Sequence, residues 1–236
     1  MLALASGNTI EEAVFHALSE VIERDAWSLV ESTRDTGPAV VGIDDPVIQD
    51  MQKKFADAQV EVTIRDITSD IGIPTIAAVA DDVLLKDPSL LTIGIGTHTS
   101  ARIAVMRALP EVAQSRLTQI HGAREDTTIA DLRKKMGYER AKRINGYWYK
   151  DNGTLDYSNI PSSDTDDFIK DINNIIAALA KKGLDRVIVT DLTREEIGIP
   201  VVRVIVPGLE VFAMDPERWG ERVKHAKDHR FSRAKP

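Results

Sequence analysis

Two stretches of this chain occur twice, and that repetition limits its fold more than any other feature. Asp66-Ile67-Thr68-Ser69-Asp70-Ile71-Gly72-Ile73-Pro74 returns, with one residue inserted, as Asp191-Leu192-Thr193-Arg194-Glu195-Glu196-Ile197-Gly198-Ile199-Pro200. A second echo joins Ala13-Val14-x-x-Ala17-Leu18-x-Glu20-Val21 to Ala104-Val105-x-x-Ala108-Leu109-x-Glu111-Val112. The first motif leads each time into an apolar strand pattern, and the second has the apolar spacing of a helix. Two loosely spaced copies mean a duplication, about 1–95 and 96–210, because a solenoid needs at least three stacked repeats. The expected class is α/β (α+β), with duplicated helix–strand units and mixed sheets flanked by helices. Residues 211–236 read as a basic, solvated tail.

Local signals place the elements. Ser6-Gly7-Asn8-Thr9 opens a helix to about Leu29, with Thr9 as cap and Glu12 three residues on. Asp45-Pro46 opens a second helix that ends near Ala58. Val60–Ile64 alternates as a strand, and Ile71–Ala80 is nearly continuous and apolar. Gly94-Ile95-Gly96 predicts a loop before a helix from Ser100 to about Ile120, which Pro110 should kink or delay. Asp151-Asn152-Gly153, between Tyr147-Trp148-Tyr149 and Leu155-Asp156-Tyr157, predicts a surface hairpin. A helix over Asp167–Lys182, strands over Val187–Val189 and Ile199–Val206, and a short helix starting at Asp215-Pro216 complete the chain.

Composition removes several classes of function. With 236 residues, 43% hydrophobic and 28% charged, the chain can bury a core unaided. It has no cysteine, which excludes disulfides, thiolate zinc sites and a cysteine nucleophile, and suits a reducing, cytoplasmic location. No apolar run reaches the roughly 18 residues of a membrane span. The net charge of −7 argues against nucleic acid as a partner, since the basic-rich stretch Arg133–Arg143 is interrupted by Met136, Tyr138 and Glu139.

The candidate chemistry lies on the repeated helices. Glu20 and Glu23 are three residues apart on one face; Glu12, two turns earlier, lies near it, and Arg24 follows Glu20 by four. Grouped carboxylates suit Mg²⁺, and arginine suits phosphate oxygens. The same spacing serves ordinary surface ion pairs and a helix cap, so both readings stand on spacing alone. In the second helix Arg107 and Glu111 occupy the places of His16 and Glu20, and Gln114 that of Glu23. Gly94-x-Gly96-Thr97 lacks the lysine of a phosphate-binding loop.

Taken together, Ser6-Gly7-Asn8-Thr9-x-x-Glu12-Ala13 and Ser19-Glu20-x-x-Glu23-Arg24 resemble the ATP-binding motif of the YcaO family. Arg107-Ala108-Leu109-x-Glu111-x-x-Gln114-Ser115-Arg116, Asp191-Leu192-Thr193 and Gly198-Ile199-Pro200-Val201-Val202-Arg203-Val204 follow in the family's order, so the likeness runs from Ala5 to about Gly220. The resemblance implies ATP- and Mg²⁺-dependent O-phosphorylation of a peptide-backbone amide. Attack by a side-chain thiol or hydroxyl then gives an azoline, and external sulfide gives a thioamide. It implies that Glu20 and Glu23 bind Mg²⁺, that Asn8 and Glu12 help hold metal or nucleotide, and that Arg24 contacts phosphates. Arg107 and Glu111 would complete the nucleotide site, and no side chain is implied as a general base.

Three departures from the family pattern shape the expectation. Members are usually longer and carry an earlier Glu-x-x-Glu-Arg helix that supplies part of the ATP site; this sequence starts just before the second motif, as the C-terminal portion of such an enzyme would. Pro110 stands where a small polar residue is usual and should displace Glu111. The proline-rich C-terminal tail of many azoline formers is lacking, which favours the thioamide-forming or TfuA-associated members. The implied partners are a peptide or protein substrate, a TfuA-like or other accessory protein, and a second copy in a homodimer. The competing expectations are a truncated, non-catalytic binding or scaffold module, and a metal-dependent phosphoester hydrolase using the same carboxylates.

Overall fold

The computed structural model describes residues 1–121 and 134–233. Arg133 of the basic-rich stretch and Lys235 of the tail lie outside the described residues. Helix α1 (Ile10–Thr33) starts where the sequence says it should: the Thr9 hydroxyl accepts the Glu12 N–H at 3.2 Å, satisfying one of the first turn's free donors. It runs one turn past Leu29 and closes at Arg34, whose left-handed backbone directs its N–H to the Val30 carbonyl at 2.7 Å. One face carries Ala13, Ala17, Leu18, Val21 and Ile22, all buried. Further helices among the described residues are α2 (Pro46–Asp57), α3 (Ala101–His121), α4 (Tyr138–Ile144), the one-turn α5 (Gly146–Tyr149), α6 (Phe168–Ala180) and α7 (Glu221–Arg233).

Among the described residues two sheets face these helices. The first has the order β1 (Leu2–Ser6), β8 (Val201–Ile205), β7 (Ile188–Asp191), antiparallel throughout. The second has the order β5 (Thr92–Thr97), β4 (Thr75–Asp81), β3 (Glu61–Asp66), β2 (Ala39–Val41), β6 (Thr154–Asp156). It is antiparallel except where β2 runs parallel to β6, and so is mixed. The three strands β5-β4-β3 thus repeat the arrangement of β1-β8-β7. In both, the edge strand that leads into a long helix pairs with the second strand of a hairpin.

The repeated motif is the turn of that hairpin. Asp66 Oδ1 accepts the Thr68 N–H at 2.9 Å, and Thr68 Oγ1 accepts the Thr75 N–H at 3.0 Å. In the other copy Asp191 Oδ1 accepts from Thr193 at 2.8 Å, and Thr193 Oγ1 accepts from Val201 at 3.2 Å. Gly72 and Gly198 have φ of +81° and +71°, the left-handed conformation that favours glycine.

Each long helix covers its own sheet. Phe15, Leu18 and Val21 of α1 meet Val202 and Val204 of β8 and Ile175 and Leu179 of α6. Ala104, Val105, Ala108 and Leu109 of α3 meet Ile76, Ala78 and Ala80 of β4. Gly94 and Gly96 are within β5 and not in a loop, because their role is close approach: a Cβ on Gly94 would lie 2.2 Å from Val112 N, and one on Gly96 2.3 Å from the Ala104 carbonyl.

Further expectations change. The apolar stretch Ile71–Ala80 is strand only from Thr75, because Ile71–Pro74 belong to the hairpin turn. No hairpin forms at Asp151–Gly153, because Tyr147–Tyr149 are helical and β6 finds its partner in the distant β2. The last helix begins at Glu221; Asp215-Pro216 form only a turn. The residues after 210 are not simply solvated, since the half-buried Arg222 pairs with the fully buried Asp25. Helix α3 continues unbroken through Pro110, an exposed position. Among the described residues no helix is long and apolar enough to cross a membrane.

Candidate nucleotide and metal site

The two long helices face each other across a cleft of about 420 Å³. Helix α1 lines it with His16, Glu20, Glu23, Arg24 and Trp27; α3 with Arg107, Glu111 and Ser115; β5 with Ile93 and Ile95; and Ala5 and Met214 close it. The repeated apolar stripes put the polar residues there. Packing each stripe on its own sheet leaves residues 20, 23 and 24 of one helix, and 107 and 111 of the other, turned toward the gap between them.

The cleft is crowded with carboxyl groups. Glu23 is pushed up to about 8, first by burial, then by the Glu111 and Glu20 carboxylates, against the opposing pull of Arg107. A hydrogen bond from the Thr97 backbone favours the ionised form but does not offset this. Glu111 is also raised, chiefly by desolvation, although its Oε2 accepts the Ile95 N–H at 3.1 Å. That bond fixes Glu111 on β5, so Pro110 does not carry it away from the cleft. Glu20 is ion-paired with Arg24 on the next turn.

Carboxylates that resist ionisation beside one another suit a divalent cation, which removes their repulsion. Among the described residues no three His, Cys, Asp or Glu side chains form a metal cluster by themselves. The carboxylate oxygens of Glu20, Glu23 and Glu111 in the lining fit an ion such as Mg²⁺, which takes one or two carboxylates and fills its octahedron with water and phosphate oxygens. Arg24 and Arg107 supply the guanidinium groups such phosphates need.

Five of the seven sequence candidates, Glu20, Glu23, Arg24, Arg107 and Glu111, meet in the cleft. Asn8 and Glu12 stand behind its end. Glu12 Oε2 accepts the Asn8 N–H at 2.6 Å and the Asn8 side-chain amide at 2.9 Å, while Oε1 lies 3.5 Å from His16 Nε2. His16 Nδ1 in turn lies 3.5 Å from Arg107 Nη1, so Asn8 and Glu12 reach the cleft through His16. Gln114 does not join the lining; its neighbour Ser115, in the place of Arg24, does. His16 was visible in the sequence as the counterpart of Arg107. Trp27 and Met214 carried no sequence signal.

Comparison with known proteins places this arrangement. Residues 3–210 match the family model described as YcaO cyclodehydratase, ATP- and Mg²⁺-binding. A protein of Methanothermobacter thermautotrophicus is 53% identical over 226 residues, which is 94% of this chain and 58% of that protein. A Rhizobium leguminosarum bv. trifolii protein, described as lying in the tfuA 3′ region, is 33% identical over 219 residues, 88% of this chain and 52% of that one. The structure of YcaO from Methanopyrus kandleri bound with AMPPCP and Mg²⁺ superposes with a TM-score of 0.81 at 30% identity, over 92% of this chain and 57% of that chain. This chain thus spans between half and three-fifths of the length of these proteins. A match over nearly the whole of two facing helices and both sheets shows that the chain belongs to the YcaO cyclodehydratase family, an ATP- and Mg²⁺-binding family.

Proposed function

We propose that the cleft binds ATP with Mg²⁺, and that the chain is the part of a YcaO-type enzyme that activates a peptide-backbone amide for conversion to a thioamide or azoline. The observation that supports this best is the meeting of Glu20 and Glu23 of α1 with Arg107 and Glu111 of α3 in one cleft. Bound ATP supplies the phosphoryl group that turns the amide oxygen into a leaving group. This chain's residues position and neutralise. Glu20 and Glu23 hold the metal, Arg24 and Arg107 bind phosphate oxygens, and Glu111 closes the site from α3, held by the Ile95 N–H of β5. Asn8 and Glu12 act through His16, setting the ring beside Arg107. Such a site needs no protein general base, since phosphoryl transfer rests mostly on positioning and charge neutralisation.

The relative from the tfuA 3′ region supports a thioamide product and an accessory protein of the TfuA kind. A peptide or protein substrate follows from the reaction, and a homodimer and a cytoplasmic location accord with it. The test is ATP hydrolysis by the complete protein in the presence of peptide. Glu20→Gln and Glu23→Gln should each abolish turnover, and full turnover in either variant refutes the metal assignment. Hydrolysis of small phosphoesters without peptide would favour a phosphoesterase. Absence of Mg-ATP binding would leave a non-catalytic module.

A further inference from the structure

The family match ends at residue 210, yet the cleft's lining does not. Met214 lines it from a segment that crosses α1 and is fastened there by buried bonds. Asp25, next to Arg24 and wholly buried, accepts the Glu210 N–H at 2.9 Å. It also receives a two-pronged ion pair from Arg222, at 3.0 Å from Nε and 2.9 Å from Nη2. Arg222 Nη2 reaches on to Asp70, in the turn between β3 and β4, at 2.7 Å. One turn along α1, Ser28 Oγ accepts the Ala213 N–H at 3.0 Å and donates to the Arg24 carbonyl at 2.7 Å. The buried Glu210 carboxylate accepts from Gly220 at 2.9 Å and Val223 at 3.0 Å, tying the start of α7 to the same segment. A buried acid bonded to this many fixed groups holds its neighbours in one geometry.

We propose that residues 209–222 form a strap that completes the cleft. Clamped on α1 through Asp25 and Ser28, it sets Met214 as the apolar wall against the non-phosphate end of the bound nucleotide. The carboxylates and guanidiniums take up the metal and phosphates, so a thioether beside them suits only an uncharged part of the ligand. Trp27, whose indole N–H is held by Glu31 at 3.1 Å, lines the same cleft one turn beyond Glu23. Met214 is then a contact residue, and Arg222 is a positioning residue that acts through Asp25.

This inference rests on the reading of the cleft as a Mg-ATP site, and two probes keep them apart. Calorimetry on the full chain would compare a non-hydrolysable ATP analogue with inorganic tripolyphosphate, both with Mg²⁺. Met214→Ala, at an exposed position, should weaken the nucleotide analogue about tenfold and leave tripolyphosphate within twofold. Arg222→Ala should copy that selective loss, and Arg222→Lys should recover part of it. Should Arg222→Ala fail to fold, Met214→Ala and Arg222→Lys decide. Equal losses for both probes in Met214→Ala, no loss for either, or an effect on peptide alone would overturn the inference. So would an Arg222→Lys variant with a lowered melting temperature and unchanged selectivity. If the unaltered chain binds neither probe, the nucleotide reading falls and the strap falls with it.

Discussion

Helices α1 and α3 do the same packing task and carry different chemistry. Their buried positions correspond almost letter for letter: Ala13, Ala17, Leu18 and Val21 in one, Ala104, Ala108, Leu109 and Val112 in the other. Their cleft-facing positions diverge. Glu20 is matched by Glu111, but His16 faces Arg107, and Arg24 is replaced by Ser115. The strands beneath differ too, Ala3 and Ala5 in β1 standing where β5 has Gly94 and Gly96. Burial thus holds the duplicated stripe constant, while the gap between the helices leaves each free to carry its own polar groups. One helix brings most of the acid and the other a guanidinium and the last carboxylate, so the cleft draws its polar groups from both.

That asymmetry can be broken from either side. Glu23→Gln should reduce ATP turnover by roughly a hundredfold or more, the scale of losing one group that stabilises transferring charge. The converse change on α3, Gln114→Glu, should leave turnover within twofold, because Gln114 is exposed and does not line the cleft. Comparable losses in steady-state kinetics of both variants would mean the helices contribute symmetrically.

The strands come next. Gly96→Val drives a side chain into the α3 backbone and should cost about 3 kcal/mol in urea unfolding, at the upper end for overpacking. Ala3→Gly in β1 should cost about 1 kcal/mol, the price of added backbone freedom. Equal values would show that α3 does not need its closer seat.

The helix starts differ in pH response. His98 precedes α3, and its Nδ1 accepts the Ser100 N–H at 2.9 Å, a bond only the ring unprotonated at Nδ1 makes. Burial first, and Arg107 second, push its pKa from 6.5 down to about 4. Because the folded value lies below the unfolded one, the fold is favoured fully above about pH 6.5 and loses that advantage as pH falls toward 4. Unfolding free energy should fall by about 1–3 kcal/mol over that interval, and less in His98→Gln. Identical pH slopes would remove His98 from the account. The smallest effect belongs to the other start: Thr9→Ala should cost about 1 kcal/mol at neutral pH, and no cost in thermal unfolding would mean the cap is redundant.

What could be read from the sequence was what is decided locally. The Asp–x–Thr turns, the Thr9 cap and the stripes of α1 and α3 depend on residues a few positions apart, and all are there. Strand β1 escaped notice because five residues with small alternate side chains give little apolar contrast. Glycines in β5 signalled a loop, yet they answer to a helix that approaches from another part of the chain. Asp151 accepts the Gly153 N–H at 2.9 Å, but the pairing of β6 with β2 is settled by residues more than a hundred positions away. The site divides in the same way. Carboxylates on repeated helices stood out, whereas Met214 enters the cleft only through tertiary bonds to Asp25 and Ser28, which no spacing encodes.

The central claim is that both helices grip one metal–nucleotide complex. It is tested most directly by measuring the affinity of a non-hydrolysable ATP analogue, with and without Mg²⁺, for the chain and for its Glu20→Gln and Glu111→Gln variants. Binding should be tight only with Mg²⁺, with a marked loss from a change on either helix. Binding that ignores Mg²⁺, or that survives Glu111→Gln intact while Glu20→Gln destroys it, would contradict it.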